Sequence, residues 1–208
     1  MVVIVDYGMG NIHSLRRIFT SLKLPVVVSH KVRDIEEASH IILPGVGHFG
    51  RAMDELKQRG LIDALNQAAM GDKKPILGIC LGMQLMTASS EEGNSEGLGW
   101  FSCKTTKIMV ENPIQFKVPH LGWNTLHTTK AHPILQGVPS QSEMYFVHAY
   151  AVDKADEEQV LCTTTYEKDF VSGLISENII GLQFHPEKSH AIGQRILANF
   201  TQSCIVQD

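Results

Sequence analysis

With 208 residues, 43% apolar and 19% charged, the chain has the composition of a globular protein with one sizeable core. A formal charge of −4 without a dense Lys/Arg block makes nucleic acid and anionic membrane poor partners, and no apolar run is long enough to span a bilayer. The opening Met-Val-Val-Ile-Val run is too short and too poorly flanked for a signal peptide. The four cysteines (80, 103, 162 and 204) form no Cys-x-x-Cys, so reduced thiols in the cytoplasm are expected.

Val2 to Val5 predicts a buried strand ending at Asp6-Tyr-Gly-Met-Gly-Asn11, with Asn11 capping a helix whose apolar stripe is Ile12, Leu15, Phe19 and Leu22. A strand over 26–29, a short helix over 35–38 and a strand over 41–43 follow, the last ending in Pro44-Gly-Val-Gly47. Two helical stretches come next, one through Phe49, Met53 and Leu56, the other through Leu61, Ile62, Leu65 and Ala69. A short apolar strand then runs from Pro75 to Ile79 into Cys80 and a helix beginning at Leu81. Continuous apolar strands alternating with helices predict an α/β fold, with a mostly parallel central sheet and helices on both faces. Sites in such sheets form at the carboxyl ends of the strands, where Asp6–Asn11, Pro44–Gly47 and Cys80 all lie. After about Glu91 the pattern changes to short β-like runs at 116–118, 125–128, 145–147, 160–165, 171–175 and 179–184. These predict antiparallel strands that extend the same sheet or form a side sheet. A helix from about Ser189 to Gln202 closes the chain, and no linker or repeat divides residues 1–208, so one domain is expected.

Three stretches carry chemistry. Gly78-Ile-Cys80-Leu-Gly82 has the nucleophile-elbow pattern with cysteine in place of serine: small neighbours let a strand turn into a helix within about one residue. The thiol then sits at a helix start, which favours the thiolate, and the next backbone N–H can bind an oxyanion. A buried core cysteine beside a glycine turn is the plainer alternative. In Gln183-Phe-His185-Pro-Glu187, residues two apart in an extended chain project together, so Glu187 could fix the tautomer of His185 and leave the other nitrogen to a thiol. A solvated turn is the alternative; a metal site of His185, Glu187 and His190 lacks the usual ligand spacing. Pro44-Gly-Val-Gly47 could present backbone N–H groups to a ligand or be an ordinary turn. Asp6-Tyr-Gly-Met-Gly-Asn11 falls short of a dinucleotide fingerprint, which would need glycine where His13 stands.

Taken together, these three stretches resemble the class I (triad) glutamine amidotransferases over essentially the whole chain. Within that family, Asp6–Asn11, Pro119-His-Leu-Gly-Trp-Asn124 and Tyr145-Phe-Val-His-Ala-Tyr150 are similar to the glutaminase subunits of imidazole glycerol phosphate synthases, which serve histidine biosynthesis. The resemblance implies that Cys80 attacks the glutamine amide, His185 passes the proton to departing ammonia, and Glu187 holds His185. It also implies an oxyanion hole from the Leu81 N–H and an N–H of Gly45, Val46 or Gly47. Glutamine would be held by Gln84, Glu92 and the backbone of His148, Ala149 and Tyr150. Gln84 could equally serve helix polarity and Glu92 a solvated acidic turn. No cofactor is implied. The ammonia of such enzymes passes to a separate (β/α)8-barrel cyclase, so a partner subunit is expected, with Asn11, Trp123 and Lys188 on the docking face; Trp123 could instead be core. Two residues depart from the family pattern: Ala149 where serine is usual, and Glu167 where glycine is usual. Rival expectations are a paralogue feeding another synthase, a free-standing γ-glutamyl hydrolase, and a thiol sensor, the last disfavoured because a sensor needs no general base.

Overall fold

The structure, a computed structural model, describes residues 1–202; Cys204 lies outside the described residues. In chain order its elements are β1 (Val2–Val5), α1 (Ile12–Ser21), β2 (Val26–Ser29), α2 (Val32–Glu36), β3 (His40–Gly45), α3 (Phe49–Gln58), α4 (Ile62–Asn66), β4 (Ile76–Cys80) and α5 (Leu81–Leu85). The second half adds β5 (Thr87–Ser90), β6 (Ser95–Glu96), β7 (Phe101–Lys107), β8 (His120–Thr125), β9 (His127–Thr128), β10 (Glu143–His148), β11 (Tyr150–Val152), β12 (Val160–Tyr166), β13 (Lys168–Ser176), β14 (Ile179–Leu182) and α6 (His190–Gln202).

The main sheet runs β2-β1-β3-β4-β14-β13-β11-β7-β5-β6, with β12 and β9 attached beside β13. Strands β2, β1, β3, β4 and β14 are mutually parallel, and β13, β11 and β12 join antiparallel. Strands β8 and β10 form a separate antiparallel pair. Both expected arrangements of the later strands therefore occur. Alternation of side chains across the parallel strands fills two cores. Val3, Val5, Ile41 and Leu43 pack with Ile35, Phe49, Leu56 and Leu65 on one face. Val2, Ile4 and Ile42 pack with Leu15, Phe19, Ile196, Leu197 and Phe200 on the other.

Two expectations for the second half fail. Residues 116–118 form an irregular, bent segment, and the strand begins later, at His120. A strand absent from the expected set, Phe101–Lys107, takes its place beside β11 and β5; its buried Phe101, Cys103 and Thr105 alternate with more exposed neighbours. The departure at Glu167 leaves the turn geometry intact. That residue keeps a left-handed φ of 62° between β12 and β13, and its carboxylate accepts the Glu111 and Asn112 N–H groups at 2.6 and 2.8 Å. Those two bonds offset the strain of placing a side chain where glycine is usual.

Register positions the site. Gly45 pairs with Cys80 across β3 and β4, and Leu182 pairs with Ile79 across β14 and β4. The Pro44–Gly47 loop, Cys80 and the segment after Leu182 thus leave three neighbouring parallel strands at the same end.

Candidate active site

Cys80 is the last residue of β4 and the N-cap of α5, with φ 54° and ψ −110°. That conformation is costly for a non-glycine residue and persists only where the surroundings enforce it. Here they do so through two glycines. A side chain on Gly82 would strike the Leu43 carbonyl of β3, and one on Gly78 would come within 2.8 Å of the Gly82 backbone. The glycines let the first turn of α5 lie against β3 and β4, which throws Cys80 out at the sheet end. Cys80 is buried, its thiol with the Val147 carbonyl at 3.9 Å and Gln183 Nε2 at 3.8 Å.

His185 and Glu187 leave the end of β14 and are buried beside it. His185 Nδ1–H donates to Glu187 Oε1 at 2.7 Å, which fixes the tautomer. His185 Nε2 has no hydrogen-bond partner. Burial pulls the imidazole pKa down, but the neighbouring Cys80 thiolate and the Glu187 carboxylate outweigh it, so the net direction is upward. A raised imidazole pKa beside a thiol favours the thiolate–imidazolium pair. The loop is anchored to β10: His185 N–H donates to the Tyr145 carbonyl at 2.9 Å, and the Ser189 hydroxyl accepts from Tyr145 N–H and donates to the His185 carbonyl.

Asn11 takes a different place from the cap expected of it. It stands at the N-cap of α1 without a side-chain capping bond, because its Nδ2 donates to Glu187 Oε1 at 3.3 Å. The carboxylate draws the amide away from the helix start. Lys188 lies with its ammonium 5.2 Å from the Tyr145 ring centre. Trp123 is 43% exposed rather than core; it stacks on His190 at 4.8 Å and meets Tyr145 edge-on at 5.9 Å. With Leu121, 63% exposed two residues earlier on β8, it forms an open apolar face next to the loop that bears His185.

In the glycine loop two of the three backbone N–H groups expected at an oxyanion hole are accounted for. The Val46 N–H donates to the Met9 carbonyl at 3.3 Å, and Gly45 N and Cα belong to the strand paired with Cys80. The Leu81 N–H sits at the start of α5, next to the thiol-bearing residue. Glu92 lies half-buried in a turn, and its carboxylate accepts the Phe49 N–H at 2.8 Å, tying the start of α3 just beyond the glycine loop.

Gln84 is buried one helical turn beyond Cys80. Its Nε2 donates both to the Tyr150 carbonyl at 2.9 Å and to Gln183 Oε1 at 3.0 Å. His148 Nδ1–H donates to that same Tyr150 carbonyl at 2.8 Å; Ala149 lies between these two residues. Gln183 and Tyr7 were not among the expected site residues. Gln183 sits two residues before His185, and the same-side rule for an extended segment could have found it. Tyr7 is buried and donates to the Pro44 carbonyl at 2.8 Å; burial and the Cys80 charge push its pKa up.

A cysteine at a strained strand–helix junction, with a buried His–Glu pair just past the end of the next parallel strand, is an arrangement for nucleophilic attack on a carbonyl carbon. The family model for glutamine amidotransferase class-I matches residues 3–204. The chain belongs to the class I glutamine amidotransferases. Similar relatives include imidazole glycerol phosphate synthase subunit HisH 2 of Methanococcus maripaludis, 43% identical over 96% of this chain and 98% of that protein. Subunit HisH of Sulfurimonas denitrificans is 44% identical over 97% and 98%. Among solved structures, a glutamine amidotransferase superposes with TM-score 0.76 at 15% identity, covering 97% of this chain and 98% of that one. PurLQS from Thermotoga maritima gives 0.72 at 17%, covering 97% of both. These two likenesses show the shared amidotransferase fold. No helix among the described residues is long and apolar enough to cross a membrane.

Proposed function

We propose that this chain is the glutaminase subunit of a cytoplasmic imidazole glycerol phosphate synthase, cleaving glutamine with Cys80, His185 and Glu187 and passing ammonia to a (β/α)8-barrel cyclase. The observation that carries the chemistry is the strained Cys80 beside a buried His185 whose tautomer Glu187 fixes. The relatives' names supply the pathway.

In this reading the Cys80 thiolate adds to the carboxamide carbon of glutamine, and the carbonyl oxygen takes the negative charge. His185 imidazolium protonates the nitrogen, the C–N bond breaks, and ammonia leaves a γ-glutamyl thioester. Water then adds to the thioester carbon as His185 takes its proton; glutamate departs and the thiolate–imidazolium pair is restored. The Leu81 N–H and one N–H of the Gly45–Val46–Gly47 loop hold the oxyanion. Val46 N–H is committed to Met9 O, so it joins the hole only when the loop turns, which would keep basal turnover low. Gln84, with Nε2 committed within the protein, offers its Oε1 to substrate, while the backbone of His148, Ala149 and Tyr150 faces its carboxylate end. Glu92 acts on the site by holding the start of α3. The open face of Trp123, with Asn11 and Lys188 alongside, docks the cyclase.

The test is glutamate release from glutamine by the chain alone and with a barrel cyclase plus its nucleotide substrate. A sharp rise only with both supports the reading. Fast release by the chain alone makes it a free-standing hydrolase, and no release under either condition moves the partner to another synthase.

A further inference from the structure

The imidazoles of His120 and His148 are buried and take no part in the chemistry above. They belong to a chain of hydrogen bonds whose direction is set at both ends. At one end the Tyr150 carbonyl can only accept, so His148 carries its proton on Nδ1. At the other end Asn124 Oδ1 accepts the Thr125 N–H at 2.8 Å and Nδ2 donates to the Thr165 carbonyl at 3.0 Å, so the Nδ2 that faces His120 Nε2 at 3.3 Å is a donor. His120 Nε2 must therefore be bare and His120 Nδ1 protonated, donating to His148 Nε2 at 3.1 Å. One protonation pattern satisfies every contact: both rings neutral, both protonated on Nδ1. A proton added to either ring sets a donor against a donor.

Surroundings hold the pattern in place. His120 is sandwiched between Phe146 at 4.9 Å and Tyr166 at 4.0 Å, so its ring cannot swing away from either partner. Phe170 covers both rings. The titratable groups that face the pair are Tyr166 and, toward His148, His185. Burial pushes His120 down to about 4 and His148 down to about 3, so both stay neutral. Beyond Tyr150 the bonds continue: its carbonyl also accepts Gln84 Nε2, which donates to Gln183 Oε1, and Gln183 Nε2 reaches Cys80 Sγ.

We propose that His120 is a positioning residue for glutamine cleavage: by setting the tautomer of His148 it holds the Tyr150 carbonyl and the Gln84 and Gln183 amides in the orientation that faces substrate and Cys80. The proposal rests on the glutaminase reading for its kinetic consequence and on geometry alone for the protonation pattern. It places the Asn124 end of the relay on β8, next to the exposed Trp123, and the other end at the nucleophile.

Two measurements test it. The first is imidazole nitrogen NMR on the full wild-type chain at neutral pH, which needs no activity. Both His120 and His148 should be neutral and protonated on Nδ1; an Nε2–H or cationic ring at either position overturns the proposal. The second is glutamine cleavage by the complex with the cyclase. His120→Phe keeps the stack between Phe146 and Tyr166 but removes both hydrogen bonds, so KM for glutamine should rise about tenfold while kcat stays within about threefold. His120→Asn, which can still donate to His148, should recover most of that loss. A merely structural role would lower the active fraction and hence kcat at constant KM, and an unchanged KM in His120→Phe overturns the proposal. If His120→Phe does not fold, wild-type KM in His120→Ala or an Nε2–H His148 in the wild type still overturns it. If the wild-type complex releases no glutamate, the glutaminase reading fails and the NMR result decides the relay by itself.

Discussion

Cys80 and His148 are joined through Tyr150, Gln84 and Gln183, and the chain holds them by different means. Around Cys80 the backbone does the positioning: a φ of 54°, α5 pressed against β3 and β4, and two glycines whose missing side chains make room for it. Around His148 the residues of β10 and β11 adopt ordinary extended geometry, and buried polar side chains do the positioning through bonds that each accept one donor pattern. Backbone strain fixes an atom through sterics, which pH does not alter. A hydrogen-bond chain fixes it through protonation, which pH does alter. The two sides should therefore fail under different insults.

The largest effect is expected at the nucleophile. Cys80→Ala should abolish glutamine-dependent synthesis by the complex and leave ammonia-dependent synthesis by the cyclase intact; loss of both would mean that the fold or the interface had broken. Gly82→Ala tests the steric side without touching a reacting atom. Its new methyl would strike the Leu43 carbonyl, so stability measured by denaturant should fall by about 3 kcal/mol or more, at every pH alike. An alanine variant of wild-type stability would show that the close approach of α5 is not what holds the elbow.

Glu187→Gln should be milder. It keeps the shape but weakens the hold on His185 Nδ1, and kcat should fall about tenfold or more with assembly unchanged. Full activity would remove Glu187 from the triad.

Per residue the smallest effect belongs to the polar side, and it depends on pH. His120 and His148 are held neutral in the folded protein, while in the unfolded chain they titrate near the ordinary value of about 6.5. Below that value the unfolded state binds more protons, so stability falls as pH drops from about 6.5 toward about 4. The cost is at most about 2 kcal/mol per ring at pH 5. Urea unfolding between pH 7 and 5 should show the slope, and His120→Phe should make it shallower. An equal slope in both proteins would place the acid sensitivity elsewhere.

Much of this architecture was legible from residue patterns. Apolar runs alternating with helical stripes implied the parallel sheet, and Gly78-Ile-Cys80-Leu-Gly82 implied the elbow. What misled was local texture without tertiary context. Residues 116–118 have β-like side chains but no neighbouring strand to pair with, whereas Phe101–Lys107 contains Ser and Lys at its exposed positions and becomes a strand because β5 and β11 flank it. Asn11 has the chemistry of a helix cap, yet a carboxylate 176 positions away competes for its amide.

The elbow at Cys80 and the His185–Glu187 pair were legible in the sequence alone, because each depends on neighbours within a few residues: glycines two positions from Cys80, and Glu187 two positions from His185. The bonds that aim the rest of the site join residues 28, 66, 99 and 103 positions apart, namely His120 with His148, Gln84 with Tyr150, Gln84 with Gln183, and Gln183 with Cys80. Only the tertiary structure decided those. A hydrogen bond needs its two atoms within about 3 Å, or about 4 Å when sulfur accepts, and suitably aligned, and no local pattern of residue types carries that information across so long a stretch of chain.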